Sequence, residues 1–77
     1  MDIDNDKIDQ AVLALLYLTL HDDVRAWKSH DWDAMDRLHE KGMIGDPKSK
    51  AKSVWLTGAG LAESERLFKM MFCKSGT

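Results

Sequence analysis

The amino-acid sequence predicts a small α+β domain built from three helices and one two-stranded β-hairpin. Three segments place apolar residues three and four positions apart, the spacing that buries one face of a helix. Between the second and third of these segments, two short apolar runs flank a Gly-Asp-Pro sequence that is typical of a turn. With 77 residues, the chain has room for one core, so residues 1–77 are predicted to form a single domain.

The first predicted helix spans about residues 6–21. Asp6 is placed to cap its N-terminus, and Asp9 adds negative charge beside the positive end of the helix dipole. Apolar residues cover most of the circumference, because one stripe holds Ile8, Val12, Leu15, Leu16 and Thr19 and a second holds Leu13, Tyr17 and Leu20. A surface helix of a monomer needs only one stripe. This helix is therefore predicted to be the central helix, a dimer contact, or both.

The second predicted helix spans residues 32–41 and has a recognisable signal at each end. Asp31 is placed to cap the N-terminus. Gly42 fits the left-handed position just beyond a helix, where Met43 packs back on Leu38 in a Schellman ending.

Two tryptophans beside this helix are predicted to face inward. Trp32 shares a helical face with Met35 and Leu38 at intervals of three residues. Residues 24–29 are predicted to form one further helical turn, with Trp27 pointing into the domain.

The hairpin and the last helix complete the prediction. Met43-Ile44 is predicted to be a very short strand that pairs with Ser53–Leu56, so that the hairpin lies between residues 43 and 57. Thr57 is placed to cap a last helix at about residues 58–73. Residues 1–5 and 74–77 are predicted to fray.

Two stretches carry a resemblance to known proteins. The first resembles the recognition helix and wing of winged-helix transcriptional regulators, and it consists of Arg37-Leu38-His39-Glu40-Lys41-Gly42-Met43-Ile44 followed by Val54-Trp55-Leu56-Thr57-Gly58-Ala59-Gly60-Leu61. This resemblance covers residues 32–61 and implies a winged-helix-like domain. The whole chain also resembles a small bacterial family of unknown function. The residues that carry this resemblance are Ile8-Asp9-Gln10-Ala11-Val12-Leu13, Arg25-Ala26-Trp27-Lys28, Asp31-Trp32-Asp33 and Leu56-Thr57.

Composition and charge narrow the class of protein. The longest apolar run, residues 11–18, is far shorter than the ~20 residues of a membrane-spanning helix. The acidic N-terminus is unlike a signal peptide, and the single cysteine, Cys73, excludes an internal disulfide. These features predict a reduced, cytoplasmic protein. Residues 1–40 hold ten acidic and four basic residues, whereas residues 41–77 hold three acidic and seven basic ones. This asymmetry is typical of two halves that attract each other, or of a basic half that binds an anionic partner.

No motif in the sequence indicates catalysis, a metal or a cofactor. The pairs that His21, His30 and His39 form with neighbouring acidic residues lack the spacing that directs several ligands to one ion. The Gly58-Ala59-Gly60 stretch lacks the lysine of a phosphate-binding loop. The protein is therefore predicted not to be an enzyme and to bind no cofactor and no metal.

Protein interaction is the leading functional prediction. A core of this size supplies only ~3–5 kcal/mol, and self-association is a common way to add to it. The protein is expected to be a homodimer or to bind another protein, with Leu13, Tyr17 and Leu20 as the predicted interface because they form the second apolar stripe of the first helix.

The alternative prediction is a winged-helix DNA-binding regulator that contacts phosphates through a lysine-rich wing. Its contact residues are Lys48, Lys50 and Lys52 at the hairpin tip, with Lys41 at the end of the second helix. The candidate recognition helix disfavours this alternative, because Asp33, Asp36 and Glu40 would repel the phosphate backbone.

Overall fold

The computed structural model of the chain describes residues 1–22, 24–28, 31–48 and 51–74. In chain order these residues form helix α1 (Asn5–Leu18), strand β1 (Arg25–Trp27), helix α2 (Trp32–Glu40), strand β2 (Ser53–Trp55) and helix α3 (Gly58–Phe72). The predicted α+β class, with three helices and a two-stranded antiparallel sheet, is confirmed. None of the described helices is long and apolar enough to cross a membrane.

Helix α1 begins and ends earlier than predicted. Its N-terminal cap is Asp4, whose carboxylate accepts a hydrogen bond from the backbone N–H of Lys7, and not Asp6. The helix ends at Leu18 because the chain then turns so that His21 can pair with Arg25 through two backbone hydrogen bonds of 2.7 and 3.0 Å. The predicted end at residue 21 was therefore three residues too late.

Helix α2 ends as the sequence predicted. Gly42 has a φ of 75°, the left-handed conformation that glycine adopts without strain. The N–H of Gly42 donates to His39 O and the N–H of Met43 donates to Leu38 O, each at 3.0 Å, which is the hydrogen-bond pattern of a Schellman ending. At the other end Asp31 accepts a hydrogen bond from Ala34 N, as predicted.

The sheet pairs different segments from those predicted. Strand β1 lies antiparallel to β2 with Ala26 opposite Val54, whereas Ile44 contributes a single bridge to Leu56 on the other edge of β2. The prediction of a helical turn over residues 24–29 was wrong, because residues 25–27 of this segment form a strand in which exposed, buried and exposed residues alternate. Ala26 is the residue that faces inward, and Trp27 faces outward.

The core lies between α1 and the elements packed around it. Helices α2 and α3 and strand β1 all contact α1, which explains why α1 is apolar around most of its circumference. Three of the fully buried residues are small: Ala14, Ala26 and Ala34 have no measurable exposure. Helix α3 is capped by Thr57, as predicted, through a 2.9 Å hydrogen bond from Gly60 N to the Thr57 hydroxyl.

Candidate interaction surfaces

The outer face of the sheet carries two exposed tryptophans, and we call it the tryptophan face. Cross-strand pairing places Arg25 opposite Trp55 and Trp27 opposite Ser53, so all four side chains lie on the same side of the sheet. Trp27 and Trp55 are diagonal neighbours there, and each is 49% exposed. Exposed tryptophan is uncommon on protein surfaces that bind nothing and is enriched at the centres of binding interfaces.

Trp27 is held in place by His21. The imidazole and indole rings stack with centroids 4.4 Å apart and an angle of 26° between their planes. His21 is itself positioned by the end of α1, since its Nδ1 atom lies 3.1 Å from the carbonyl oxygen of Thr19. The orientation of Trp27 is thus fixed by contacts outside the core.

Trp55 is held by the backbone of Gly45. The N–H of Gly45 donates to the carbonyl oxygen of Trp55 at 2.9 Å. A Cβ atom built on Gly45 would overlap the indole ring of Trp55, so only glycine permits this close approach. The second tryptophan therefore also has a defined position despite its exposure.

The third tryptophan, Trp32, was expected to face the core but is 57% exposed. It is the first residue of α2, and the helical face it was predicted to share is covered only from Met35 onward. The ammonium group of Lys28 lies 5.9 Å from the centroid of the Trp32 ring, within cation–π distance. The same ammonium donates to Pro47 O at 2.8 Å, which ties the loop before β2 to the end of β1.

Two of the four lysines predicted to contact phosphates are placed beside the sheet. Lys48 and Lys52 are exposed and border β2 and the loop before it, while Lys50 lies outside the described residues. Lys41 is positioned differently, because its ammonium pairs with Asp9 at 3.0 Å and with Asp6 at 3.5 Å. The hydrogen bond to Asp9 raises the pKa of Lys41 and makes this lysine part of the contact between α1 and α2.

The outward side of α2 is acidic, as the sequence indicated. Asp33 and Glu40 are exposed and Asp36 is half-buried. A recognition helix that enters the major groove needs a surface that tolerates phosphate, and this helix presents carboxylates instead.

Asp9 forms a buried ion cluster that the sequence prediction missed. The Asp9 side chain is 3% exposed, and both of its oxygens accept hydrogen bonds from Nε of Arg37, at 2.9 and 2.8 Å. Nη2 of Arg37 and Nζ of Lys41 add contacts of 2.8 and 3.0 Å. Burial by itself raises the pKa of Asp9, but the hydrogen bonds and positive charges of Arg37 and Lys41 outweigh that effect and hold the pKa below its ordinary value.

A hollow of about 210 Å³ lies beside this cluster. Four charged residues line it, and each already has a partner among the described residues: Asp6 and Asp9 pair with Lys41, and Glu63 pairs with Arg66. The hollow therefore presents no unpaired charge to a ligand, and we assign the cluster a structural role between α1 and α2.

The predicted dimer stripe is buried or half-buried by contacts within the chain. Leu13 is 2% exposed in the core, Leu20 packs partly against the core, and the ring of Tyr17 contacts Phe68 of α3 with centroids 5.2 Å apart. The expectation that this stripe faces outward is corrected, because α3 covers the side of α1 that the sequence left without a partner.

A second apolar surface lies at the C-terminal ends of α1 and α3, and we call it the helix-end surface. Its exposed side chains are Leu18 at 63%, Met70 at 60%, Phe72 at 49% and Met71 at 36%. The ring contacts of Tyr17 with Phe68 and of Phe68 with Phe72, at 5.2 and 5.6 Å, join this surface to the interior. Cys73 follows Phe72 and is an exposed free thiol.

Comparison with known proteins agrees with the second resemblance seen in the sequence. The profile of a family described as a domain of unknown function, DUF6429, matches residues 4–74. An uncharacterized protein, y4hR, from Sinorhizobium fredii is 58% identical over 74 residues, which cover 96% of this chain and 100% of that protein. No solved structure matches the chain. The chain therefore belongs to the DUF6429 family of domains of unknown function, and the predicted membership of a small uncharacterised family is confirmed.

Proposed function

We propose that this protein is a non-catalytic interaction module that forms a homodimer through the helix-end surface. The observation that carries the proposal is the group of four exposed apolar side chains at one end of α1 and α3, on a chain of only 77 residues. Exposed apolar side chains grouped at the helix ends of so small a domain are costly to leave in water and favour association. Methionine suits such a contact, because its flexible thioether adapts to the surface it meets.

A second copy is the occupant that the composition of this surface favours. Its exposed side chains are uncharged, and the nearest described cation on the last turn of α3, Lys69, is already paired with Glu65 at 3.0 Å. Two copies related by a two-fold axis can bring such surfaces together without opposing like charges. A reduced, cytoplasmic location forms part of this proposal, because an exposed free thiol at Cys73 suits a reducing compartment.

The test is the oligomeric state as a function of protein concentration. Sedimentation velocity across two orders of magnitude in concentration should show a monomer that converts to a dimer, and the melting temperature should rise with concentration. Phe72→Asp should shift the equilibrium to monomer, because it places a charge in a contact that excludes water.

Ile3→Asp is the matched control. Ile3 is 62% exposed and lies before the N-terminus of α1, at the opposite end of that helix from Leu18. The same change from an apolar to a charged residue should leave the dimer intact. Cys73 provides a second measurement, because a thiol-reactive crosslinker should join two wild-type chains but not two Phe72→Asp chains. A wild-type protein that is monomeric throughout, with a melting temperature independent of concentration, would contradict the proposal.

A further inference from the structure

We propose that the tryptophan face binds single-stranded nucleic acid, with unpaired bases stacking on Trp27 and Trp55 and with Arg25, Lys48 and Lys52 contacting the phosphates. This site is separate from the helix-end surface, and it uses a different mode of contact from a winged helix that reads duplex DNA. The proposal rests on three features of the face: the geometry of the two indoles, the placement of three cations without ion pairs, and the placement of the carboxylate closest to the two lysines.

The two indoles form a preorganised stacking platform. They lie on one side of the sheet at diagonal positions, and each is half exposed. Trp27 is oriented by the ring of His21 and Trp55 by its close approach to Gly45. Aromatic side chains fixed on the outer face of a small sheet are a recurrent platform for unpaired bases, because every base offers a π-face.

Among the described residues, three cations without an ion pair lie on or shortly before the strands that carry these rings. Within the part of the chain that the structure describes, Arg37, Lys41, Arg66 and Lys69 are paired with carboxylates. Arg25, Lys48 and Lys52 form no such ion pair there, and the guanidinium of Arg25 has only a 3.5 Å contact with the hydroxyl of Ser53. Arg25 lies on the face itself beside Trp55, and Lys52 directly precedes β2.

The carboxylate closest in sequence to both lysines is occupied by the backbone. Asp46 accepts a hydrogen bond from Lys48 N at 2.9 Å. This carboxylate thus stabilises its own turn and leaves the side chains of Lys48 and Lys52 available. Cations beside stacked aromatic rings are the combination that holds a sugar–phosphate chain while its bases stack.

The same features favour a single strand over a duplex. The faces of paired bases are hidden inside a double helix, so stacking on Trp27 and Trp55 requires unpaired bases. The acidic outer side of α2 is unsuited to a DNA groove, whereas a single strand that stacks on the tryptophan face does not require α2 to enter a groove.

The experiment measures the binding of the full chain to a labelled oligothymidylate by fluorescence anisotropy, with the intrinsic tryptophan emission followed in parallel. We expect binding at low salt, quenching of the tryptophan emission on stacking, and a log–log salt slope of about −2 for three phosphate contacts on a single strand. A duplex of the same length should bind more weakly. Trp27→Leu and Trp55→Leu should each lower the affinity roughly tenfold.

The controls separate this site from general electrostatic attraction and from the dimer. Lys52→Gln should weaken binding and flatten the salt slope, whereas Lys7→Gln, which removes an exposed lysine from the start of α1, should not. Phe72→Asp should leave the affinity per chain unchanged, so a failure of the proposed dimer is distinguishable from a failure of this site. Circular dichroism should show that each variant is folded, because all the changed side chains are exposed.

Several outcomes would overturn the proposal. These are the absence of binding to the oligothymidylate at low salt, equal affinity for the duplex, or an affinity that neither tryptophan variant changes. An equal loss in Lys52→Gln and Lys7→Gln would also overturn it, because it would show attraction to the charge of the whole chain. If the oligothymidylate does not bind, the tryptophan face is left to a protein partner.

Discussion

Replacing Asp9 with Asn removes the negative charge at the contact between α1 and α2 and keeps the shape of the side chain. In the wild-type protein this carboxylate receives three contacts of 2.8–2.9 Å from Arg37 and one of 3.0 Å from Lys41. The Asn side chain has one acceptor oxygen. Its NH₂ group is a hydrogen-bond donor, so it cannot accept the hydrogen bonds that Arg37 and Lys41 donate. The variant therefore loses about half of the hydrogen bonds of the cluster as well as its charge attraction.

The size of the effect follows from the exposure of the three groups. Removing one partner of a fully buried ion pair costs ~3–5 kcal/mol, because the other charge stays buried and unpaired. Here the side chains of Arg37 and Lys41 are 29% and 43% exposed, so water can partly replace the lost carboxylate. We expect Asp9→Asn to lower the free energy of unfolding by about 1–3 kcal/mol. In a domain of this size each kcal/mol corresponds to about 4–8 °C in melting temperature.

The effect should depend on pH in a defined direction. The pKa of Asp9 is lowered in the folded protein from its ordinary value of 3.8. The stability that Asp9 contributes is therefore complete above pH 3.8, and it is lost as the pH falls from there through the lowered folded value. The difference between the wild type and Asp9→Asn should be constant near neutral pH and should shrink in acid.

Urea unfolding followed by circular dichroism measures both quantities. Glu63→Gln is the control, since the Arg66–Glu63 pair is also a bidentate contact but lies on the surface, where water screens it. Its loss of stability should be much smaller than that of Asp9→Asn. The reasoning is refuted if Asp9→Asn is as stable as the wild type at neutral pH, or if the difference between them persists unchanged in strong acid.

Three glycine substitutions test the fold and the tryptophan face. Gly42→Ala should destabilise the protein by about 1 kcal/mol, because alanine is strained at a φ of 75° although nothing lies within 4 Å. At Gly58 an added Cβ also meets open space but the residue has no positive φ, so Gly58→Ala should stabilise the protein by about 0.4–1 kcal/mol. Urea unfolding in which both substitutions change the free energy of unfolding in the same direction would contradict this. Gly45→Ala should push the indole of Trp55 into solvent and shift its emission to longer wavelength in a Trp27→Phe, Trp32→Phe background, and an unchanged spectrum would show that the ring does not rest on Gly45.

The ends of α2 and α3 could be predicted from the sequence because they depend on nearby residues. Asp31 and Thr57 each cap a backbone N–H three residues ahead, and Gly42 ends a helix through hydrogen bonds that span five residues or fewer. Interactions of this range leave a signature in a short window of sequence. The same reasoning placed the cap of α1 at Asp6 and not at Asp4, because several acidic residues stand side by side before that helix.

Long-range pairing could not be predicted in the same way. Strand β1 has three residues, too few to show alternation, and its partner β2 lies 26 residues or more along the chain. The ion cluster joins Asp9 to a residue 28 positions away. One signal for the cluster is present in the sequence, because Asp9 stands three and seven positions before Val12 and Leu16 on one apolar stripe, and a charge on a buried stripe requires a buried partner.

The residues that form the core of this fold differ from those that form its candidate binding face. The core is built from aliphatic residues such as Leu16, Met35 and Leu67 together with three fully buried alanines, while the three tryptophans remain 49–57% exposed. Tryptophan buries more apolar area than other side chains, so a fold selected for stability alone would place at least one of them inside. Instead Trp27 and Trp55 are oriented by a histidine ring and a glycine backbone at the surface. Because the core does not depend on these rings, substitutions on the tryptophan face should change binding while leaving the fold intact, and that independence makes the binding experiments decisive.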